Sequence, residues 1–205
     1  AGDFFLDGSN VVVANGLTIL GGGSTVRGLV INRFVLSSGL RIDGAADCIV
    51  EGNFIGTDLT GTLELGNARS GVHLPLSSGG IVGGTTGLTS GGACTGSCNV
   101  ISGNHEGGVL VEQVGLKILG NFIGLDVSGT RRLENFTHGV HAKVPVTIGS
   151  DVPGERNLIS GNRLAGVFLD GGGGGSEVRN NYIGIDTSGE TATGADGSSL
   201  GNGTN

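Results

Sequence analysis

Asn53-Phe54-Ile55-Gly56 returns as Asn121-Phe122-Ile123-Gly124 and again as Asn181-Tyr182-Ile183-Gly184. A sister phrase, Val100-Ile101-Ser102-Gly103-Asn104, returns as Leu158-Ile159-Ser160-Gly161-Asn162, and a divergent first copy ends at Asn32. Self-similarity on this scale marks a solenoid, in which each repeat buries its apolar face only against its neighbours. A second phrase, Gly-aliphatic-variable-aliphatic, opens at Gly16, Gly39, Gly71, Gly108, Gly139 and Gly166, with one Asn phrase between each consecutive pair. Strict alternation of the two phrases predicts about six turns of one coil, each holding at least two short strands. The shortest turn, Gly16 to Gly39, is about 23 residues long.

Period-2 runs dominate and no 3.6-residue period is sustained, so the expected class is all-β without substantial helix. Strands of successive turns pair in parallel about 4.8 Å apart, which stacks equivalent residues into columns. One inward column reads Leu17, Leu40, Val72, Val109, Val140, Val167. A second, three before each Asn, reads Leu29, Val50, Ile101, Ile118, Ile159, Val178. A third, two after each Asn, reads Phe34, Ile55, Glu106, Ile123, Leu164, Ile183, with Glu106 the one breach. Asn32, Asn53, Asn104, Asn121, Asn162 and Asn181 predict a single ladder of stacked amides at a sharp corner, because Asn tolerates left-handed backbone and its amide can bond along the stack. Val11–Val13 reads as the first strand of an incomplete N-terminal rung.

On NFIGTD, GTLELGN, SGVHL, NVISGN and NLISGN the chain resembles right-handed parallel β-helix repeat proteins, many of them secreted by bacteria and archaea. The resemblance covers nearly the whole chain and implies a single right-handed parallel β-helix of the pectate-lyase-like superfamily over residues 1–205. Pectate lyases, polygalacturonases, epimerases and phage tailspikes share that fold, so it names no reaction.

Composition narrows the classes. The chain has 205 residues with 45 Gly, 3 Pro, no Met and no Trp. Gly without a G-X-Y period is not collagen, and 37% hydrophobic residues is too apolar for a disordered linker. A net charge of -7 and a pI near 4.9 argue against nucleic acid and anionic membrane as partners. No run approaches the roughly 18 apolar residues of a membrane span. Residues 85–98 form an inserted loop in which Cys94 and Cys98 are expected to close a small disulfide, pointing to an oxidising compartment, while Cys48 is expected to be buried. Residues 189–205 are polar and Gly-rich and lose the columns, so an irregular stretch is expected there. Neither end shows an amphipathic capping helix, which leads to the expectation of a segment of a longer polypeptide or of an unusual loop as cap, and exposed terminal rungs would allow end-to-end self-association.

Alternation turns the residue after each inward aliphatic outward. The first outward column reads Thr18, Arg41, His73, Leu110, His141, Phe168, and the next reads Leu20, Asp43, Pro75, Glu112, Lys143, Asp170. In enzymes that the fold resembles, this face binds polysaccharide. Phe168 would stack on a sugar ring, and Arg41, Lys143 and Asp170 would bond hydroxyls or pair with uronates. The catalytic candidates are Asp43, His73, Glu112 and His141. Hydrolysis needs two carboxyls about 5–9.5 Å apart. Asp43 with Glu112, and Glu112 with Asp170, lie two rungs apart, roughly 9.6 Å by strand spacing, which meets the inverting range only at its upper edge. A lyase needs a base beside a cation, as His73 beside Arg41 or His141 beside Lys143 would supply. No lyase or hydrolase motif is matched residue for residue.

Asp58, Asp126 and Asp186 each fall five residues after an Asn, on alternate rungs, so the underlying unit is two rungs, about 60 residues. Such carboxylates on Gly-rich turns suit Ca²⁺, and equally suit an Asx turn; no other cofactor is indicated. Gly171 to Gly175 lacks the Lys-Ser/Thr and helix of a phosphate loop. The leading expectation is an extracellular or cell-surface module with a structural or adhesive role, its partner a polysaccharide or cell-surface glycan. The rival expectation is a carbohydrate-active enzyme: a polysaccharide lyase, epimerase or glycosidase.

Overall fold

The computed structural model of the chain describes residues 4–76, 78–86 and 88–203. It is a parallel β-helix with three sheets, one of seven strands and two of six. Each rung runs through three strands in turn. The first is the Gly-phrase strand (Leu17–Ile19, Leu40–Ile42, Val72–Leu74, Val109–Val111, Val140–Ala142, Val167–Leu169). The second is a connecting strand (Thr25–Arg27, Ile49–Glu51, Ile81–Gly83, Lys117–Leu119, Thr147–Ile148, Glu177–Val178). The third is the Asn-phrase strand (Leu29–Asn32, Phe54–Ile55, Val100–Ile101, Phe122–Ile123, Leu158–Ile159, Tyr182–Ile183). Phe4–Asp7 adds a seventh strand to the Asn-phrase sheet by pairing with Leu29–Asn32. Val11–Val13, expected as the first strand, forms none, and Val12 and Val13 are exposed. The only helical turn among the described residues is the 3₁₀ segment Pro153–Glu155, and no helix there is long and apolar enough to cross a membrane.

The Gly-phrase column pairs in the expected register, Leu17 on Leu40 on Val72 on Val109 on Val140 on Val167. The other two inward columns differ from the sequence reading. The connecting sheet stacks Val26, Val50, Val82, Ile118, Ile148 and Val178. The Asn-phrase sheet stacks Leu6, Ile31, Ile55, Ile101, Ile123, Ile159 and Ile183. The expected columns interleave these two faces, and the apparent breach at Glu106 comes from that interleaving: the inward residue of its rung is Ile101, wholly buried. The three columns merge into one continuous core along the axis.

The corners explain the interleaving, for there are two Asn ladders where one was expected. Between the connecting and Asn-phrase sheets, each Nδ2 donates to the Oδ1 one rung on: Asn53 to Asn99 at 3.0 Å, Asn99 to Asn121 at 2.8 Å, Asn121 to Asn157 at 2.9 Å, and Asn157 to Asn181 at 2.9 Å. Between the Asn-phrase and Gly-phrase sheets a second ladder runs Asn67, Asn104, Asn135, Asn162, Asn202, with steps of 2.9–3.1 Å. Asn104 and Asn162 thus belong to a different corner from Asn53, Asn121 and Asn181. Asn32 stands on neither ladder. Ile31 aligns through Ile55 with Ile101, which puts Asn32 level with Ser102, and its Nδ2 donates to the Thr57 carbonyl as the Ser102 hydroxyl donates to Leu125. Within the first ladder, the second donor of each amide reaches a main-chain carbonyl, as Asn121 does to Val82 at 2.9 Å. The amides of this ladder thereby use both donors, as a low-dielectric interior favours, whereas the Oδ1 of off-ladder Asn32 has no partner among the described residues.

Loops from these corners complete the shell. After Ile55 and Ile123 the chain leaves as hairpins closed by Thr57 opposite Glu64 and Leu125 opposite Arg132. After Ile183 the matching turn, Asp186 N–H to Thr191 O, is followed by a further hairpin closing Thr193 on Ser199. The stretch expected to be irregular therefore returns to the coil: Leu200 is wholly buried and Asn202 ends the second ladder on Asn162. Cys94 and Cys98 form a disulfide within the 85–98 loop, and Cys48 is a buried free thiol.

Candidate functional site

The outer face of the Gly-phrase sheet assembles the expected strip. Thr18, Arg41, His73, Leu110, His141 and Phe168 form one column by strand register. Main-chain bonds from Asp43 to Ile19, Glu112 to Leu74, Lys143 to Val111 and Asp170 to Ala142 align the column beside it. A column has one residue per 4.8 Å, so side chains long enough to span a rung meet vertically.

They meet as a chain of charges. Asp43 Oδ2 accepts from Arg41 Nε at 3.1 Å and Nη2 at 2.9 Å. Arg41 Nη1 lies 3.3 Å from His73 Nδ1, and His73 Nε2 lies 3.0 Å from Glu112 Oε2. A guanidinium only donates, so in this geometry Nδ1 accepts and Nε2 carries the proton given to Glu112. Lys143 Nζ donates to the other oxygen of Glu112 at 2.7 Å. These bonds, from Lys143 first and His73 second, hold the Glu112 carboxyl below its usual range, and the Glu112 bond raises Lys143. An acid held ionised by two donors is a poor proton donor, and a histidine bonded on both nitrogens has no lone pair for substrate. Asp43, His73 and Glu112 are brought together as expected, but as one spent network.

The lower end of the strip is different. His141 Nε2 lies 3.5 Å from Asp170 Oδ2, at the outer limit of contact, and this buried nitrogen has no well-formed hydrogen bond among the described residues. His138 joins it, with ring centroids 5.5 Å apart, and stacks on Phe168 at 4.5 Å. His138 Nδ1 accepts from the Ala165 main chain at 3.2 Å. Burial, and then the neighbouring His141, push His138 below the usual imidazole range. The outward columns do not include His138, because it precedes the Gly phrase by one residue; the spaced pair in Thr137-His138-Gly139-Val140-His141 is the signal that points to it. A groove of about 280 Å³ opens beside these rings, lined by Ser70, Glu106, Leu110, Thr137, His138 and His141.

A smaller cluster lies around the adjacent corner. His105 stacks on Phe136 at 4.9 Å, and the Arg163 guanidinium lies 5.5 Å from the Phe136 centroid. Nearby, Arg132 pairs with Glu134. Burial raises the Glu64 carboxyl; His105 opposes that rise and Glu134 adds to it.

Glu112 and Glu64 give opposite pH signatures. For Glu112, whose folded pKa is depressed, stability is present above the unfolded value of about 4.3 and lost as pH falls through the folded value. Glu112→Gln is therefore expected to lower the melting temperature at pH 7 and to match wild type in acid. For Glu64, whose folded pKa is raised, ionisation opposes folding at neutral pH, so Glu64→Gln is expected to raise the melting temperature at pH 7 and to match wild type below about pH 4. Thermal unfolding from pH 3 to 8 checks both, and parallel curves would contradict the assignment.

Asp58, Asp126 and Asp186 do sit on alternate rungs, one per hairpin. Asp58 Oδ1 accepts from Thr62 and Leu63 amides at 2.9 and 3.0 Å, Asp126 from Thr130 and Arg131 at 3.2 and 3.1 Å, and Asp186 from Ser188 and Gly189, both at 3.1 Å. Burial raises Asp58 and Asp186, but bonds from Thr60 and Ser188 hydroxyls together with turn amides outweigh it and hold both below the ordinary carboxylate range. The carboxylates are spent on their own turns. Among the described residues no group of three or more His, Cys, Asp or Glu is placed to hold a metal ion. No family model matches the chain, and no curated protein or solved structure does.

Proposed function

We propose that the chain is an extracellular or cell-surface module of the pectate-lyase-like kind, with a structural or adhesive role, whose Gly-phrase face contacts glycan. One observation carries this: a fixed row of hydrogen-bonded polar side chains, Asp43–Arg41–His73–Glu112–Lys143, leads into an aromatic cluster of Phe168, His138 and His141 beside an open groove. Sugars are recognised by that pairing, with apolar ring faces on aromatics and hydroxyls on preset polar groups. The neutralised acids favour binding over hydrolysis. The Cys94–Cys98 disulfide supports an oxidising location.

The test is a polysaccharide panel on the intact protein, with and without Ca²⁺, followed for binding and for new reducing or unsaturated ends. Binding without turnover is expected, unchanged by Ca²⁺. Phe168, 39% exposed, can lose its ring without a core cavity, and Phe168→Ala is expected to weaken the best ligand about tenfold, roughly 1.4 kcal/mol. New chain ends would overturn the module reading in favour of an enzyme; no binding to any glycan, or full affinity in Phe168→Ala, would overturn the glycan face.

A further inference from the structure

The Asn-phrase sheet carries a second apolar column on its outer face: Val30, Phe54, Val100, Phe122, Leu158 and Tyr182. The first five are at most 8% exposed, roofed by the hairpins and by the disulfide loop. That loop leaves the third rung and is tied to the fourth and sixth. Cys94 N donates to Val127 O and Gly91 N to Thr187 O, both at 2.8 Å, and the Thr187 hydroxyl donates to Gly92 O at 3.0 Å. Where the roof ends, over Tyr182, a pocket of about 280 Å³ remains, lined chiefly by Leu88, Pro153, Arg156, Leu158, Tyr182 and Thr187. It lies on a different sheet from the glycan face.

Arg156 is built into this pocket. Its Nε donates to the Asn180 carbonyl at 2.8 Å and its Nη2 to Asn180 Oδ1 at 3.0 Å, laying the guanidinium 4.0 Å from the Tyr182 ring centroid. Asn180 occupies the left-handed corner, φ 54°, where the equivalent rungs have Gly52 and Gly120. Only this rung of the three offers a side-chain carbonyl there to orient the arginine. Arg27, Arg33, Arg41, Arg131, Arg132 and Arg179 each pair with a carboxylate. Arg69, Arg156 and Arg163 pair with none among the described residues, in a chain of net charge -7; of these only Arg156 lines this pocket, and its Nη1 has no protein partner among the described residues.

We propose that this pocket binds a small molecule made of one apolar six-membered ring bearing a carboxylate. The ring would lie among Tyr182, Leu88, Leu158 and Pro153, and the carboxylate would accept from Arg156 Nη1. The volume falls just under the roughly 300 Å³ at which small-molecule sites usually begin, which restricts the occupant to about one ring. A guanidinium already oriented loses little freedom on pairing and discriminates for charge.

Benzoate is the probe, with benzamide as its neutral counterpart and glucuronate as a polar ring acid, each titrated into the intact chain. Tyr182 is the only tyrosine and there is no tryptophan, so its ring protons form an isolated NMR signature to follow. Saturable benzoate binding that shifts the Tyr182 resonances is expected, with benzamide at least about tenfold weaker, or roughly 1.4 kcal/mol. Arg156→Gln is expected to abolish the preference for benzoate while circular dichroism stays that of the wild type. Arg156→Lys, which keeps the charge, is expected to retain part of the preference and controls for loss of the Asn180 contacts. Equal affinity for benzoate and benzamide, an unchanged preference in Arg156→Gln, glucuronate binding in place of benzoate, or no saturation by about 10 mM, equivalent to under roughly 3 kcal/mol, would each overturn the proposal.

Discussion

Asn121→Ala is expected to destabilise the protein by about 3–5 kcal/mol, a large share of the roughly 5–15 kcal/mol that folded domains typically hold. Asn121 is wholly buried and makes five bonds at its corner. Its Oδ1 accepts from Asn99 Nδ2 at 2.8 Å, its Nδ2 donates to Val82 O, Leu119 O and Asn157 Oδ1, and its main-chain N–H donates to Asn157 Oδ1. Alanine removes the four side-chain bonds: the buried Asn99 donor loses its acceptor, and the Val82 and Leu119 carbonyls each lose a donor, though Leu119 keeps the Gly84 N–H; each buried group left unpaired costs about 1–3 kcal/mol. Asn121→Asp keeps the shape but sets an acceptor against three acceptors. It is expected to be at least as damaging at pH 7 and to recover in part as pH falls and the carboxyl protonates. Asn181→Ala, at the half-buried end of the same ladder, is expected to cost only about 1–2 kcal/mol because water can replace the amide. Urea midpoints measure the differences, and hydrogen exchange at the Asn99 and Leu158 amides locates them, which matters because a solenoid can open rung by rung. A cost below about 1 kcal/mol for Asn121→Ala would show that the ladder is incidental.

Gly124→Ala is the second large effect, at least about 4 kcal/mol. Gly124 has φ 92°, and an added Cβ would lie 2.2 Å from Ser160 O and 2.6 Å from Asn162 Oδ1 in the next rung. The backbone conformation alone costs about 1–3 kcal/mol for an L side chain. The overlap with a main-chain oxygen has no flexible partner to yield, so the fourth and fifth rungs must part, straining the Asn135–Asn162 bond of 2.9 Å beside it. Gly44→Ala is the matched control. Its φ is 70°, yet nothing lies within 4 Å of the added Cβ, so only the backbone term remains, about 1–3 kcal/mol. Equal losses for the two would mean that backbone strain, not close stacking of rungs, governs the glycines here.

Much of the candidate face is legible in the chain of residues. The outward strip from Arg41 to Asp170 follows from two-residue alternation on strands whose Gly phrases align, and its register holds along all six rungs. Its chemical state is not legible there. That Glu112 is shared by His73 and Lys143, or that His73 is bonded on both sides, depends on side-chain length and rotamer across rungs separated by 39 and 31 residues in the chain. His138 shows the same boundary: its place beside Phe168 requires the turn before Gly139 to fold over the next rung.

By itself, then, the sequence determined the coil, its six rungs, the Gly-phrase column and the two-rung period of the hairpin aspartates, because each rests on spacing within a few residues or on repetition of a phrase. The tertiary structure decided which asparagine joins which ladder. Asn99 and Asn104 of one NVISGN phrase turn different corners, and Asn67 and Asn135, outside the phrases, fill the remaining places. The Asn-phrase strands that separate the two ladders are two residues long from Phe54–Ile55 onward, too short for local periodicity to declare, and the loops between them vary in length, so no fixed offset reveals the alignment. The same holds for Arg156 beside Tyr182. They meet because the rise of one rung brings Asn180 under Arg156, a proximity set by the roughly 4.8 Å stacking of strands and not by any neighbourhood in the chain.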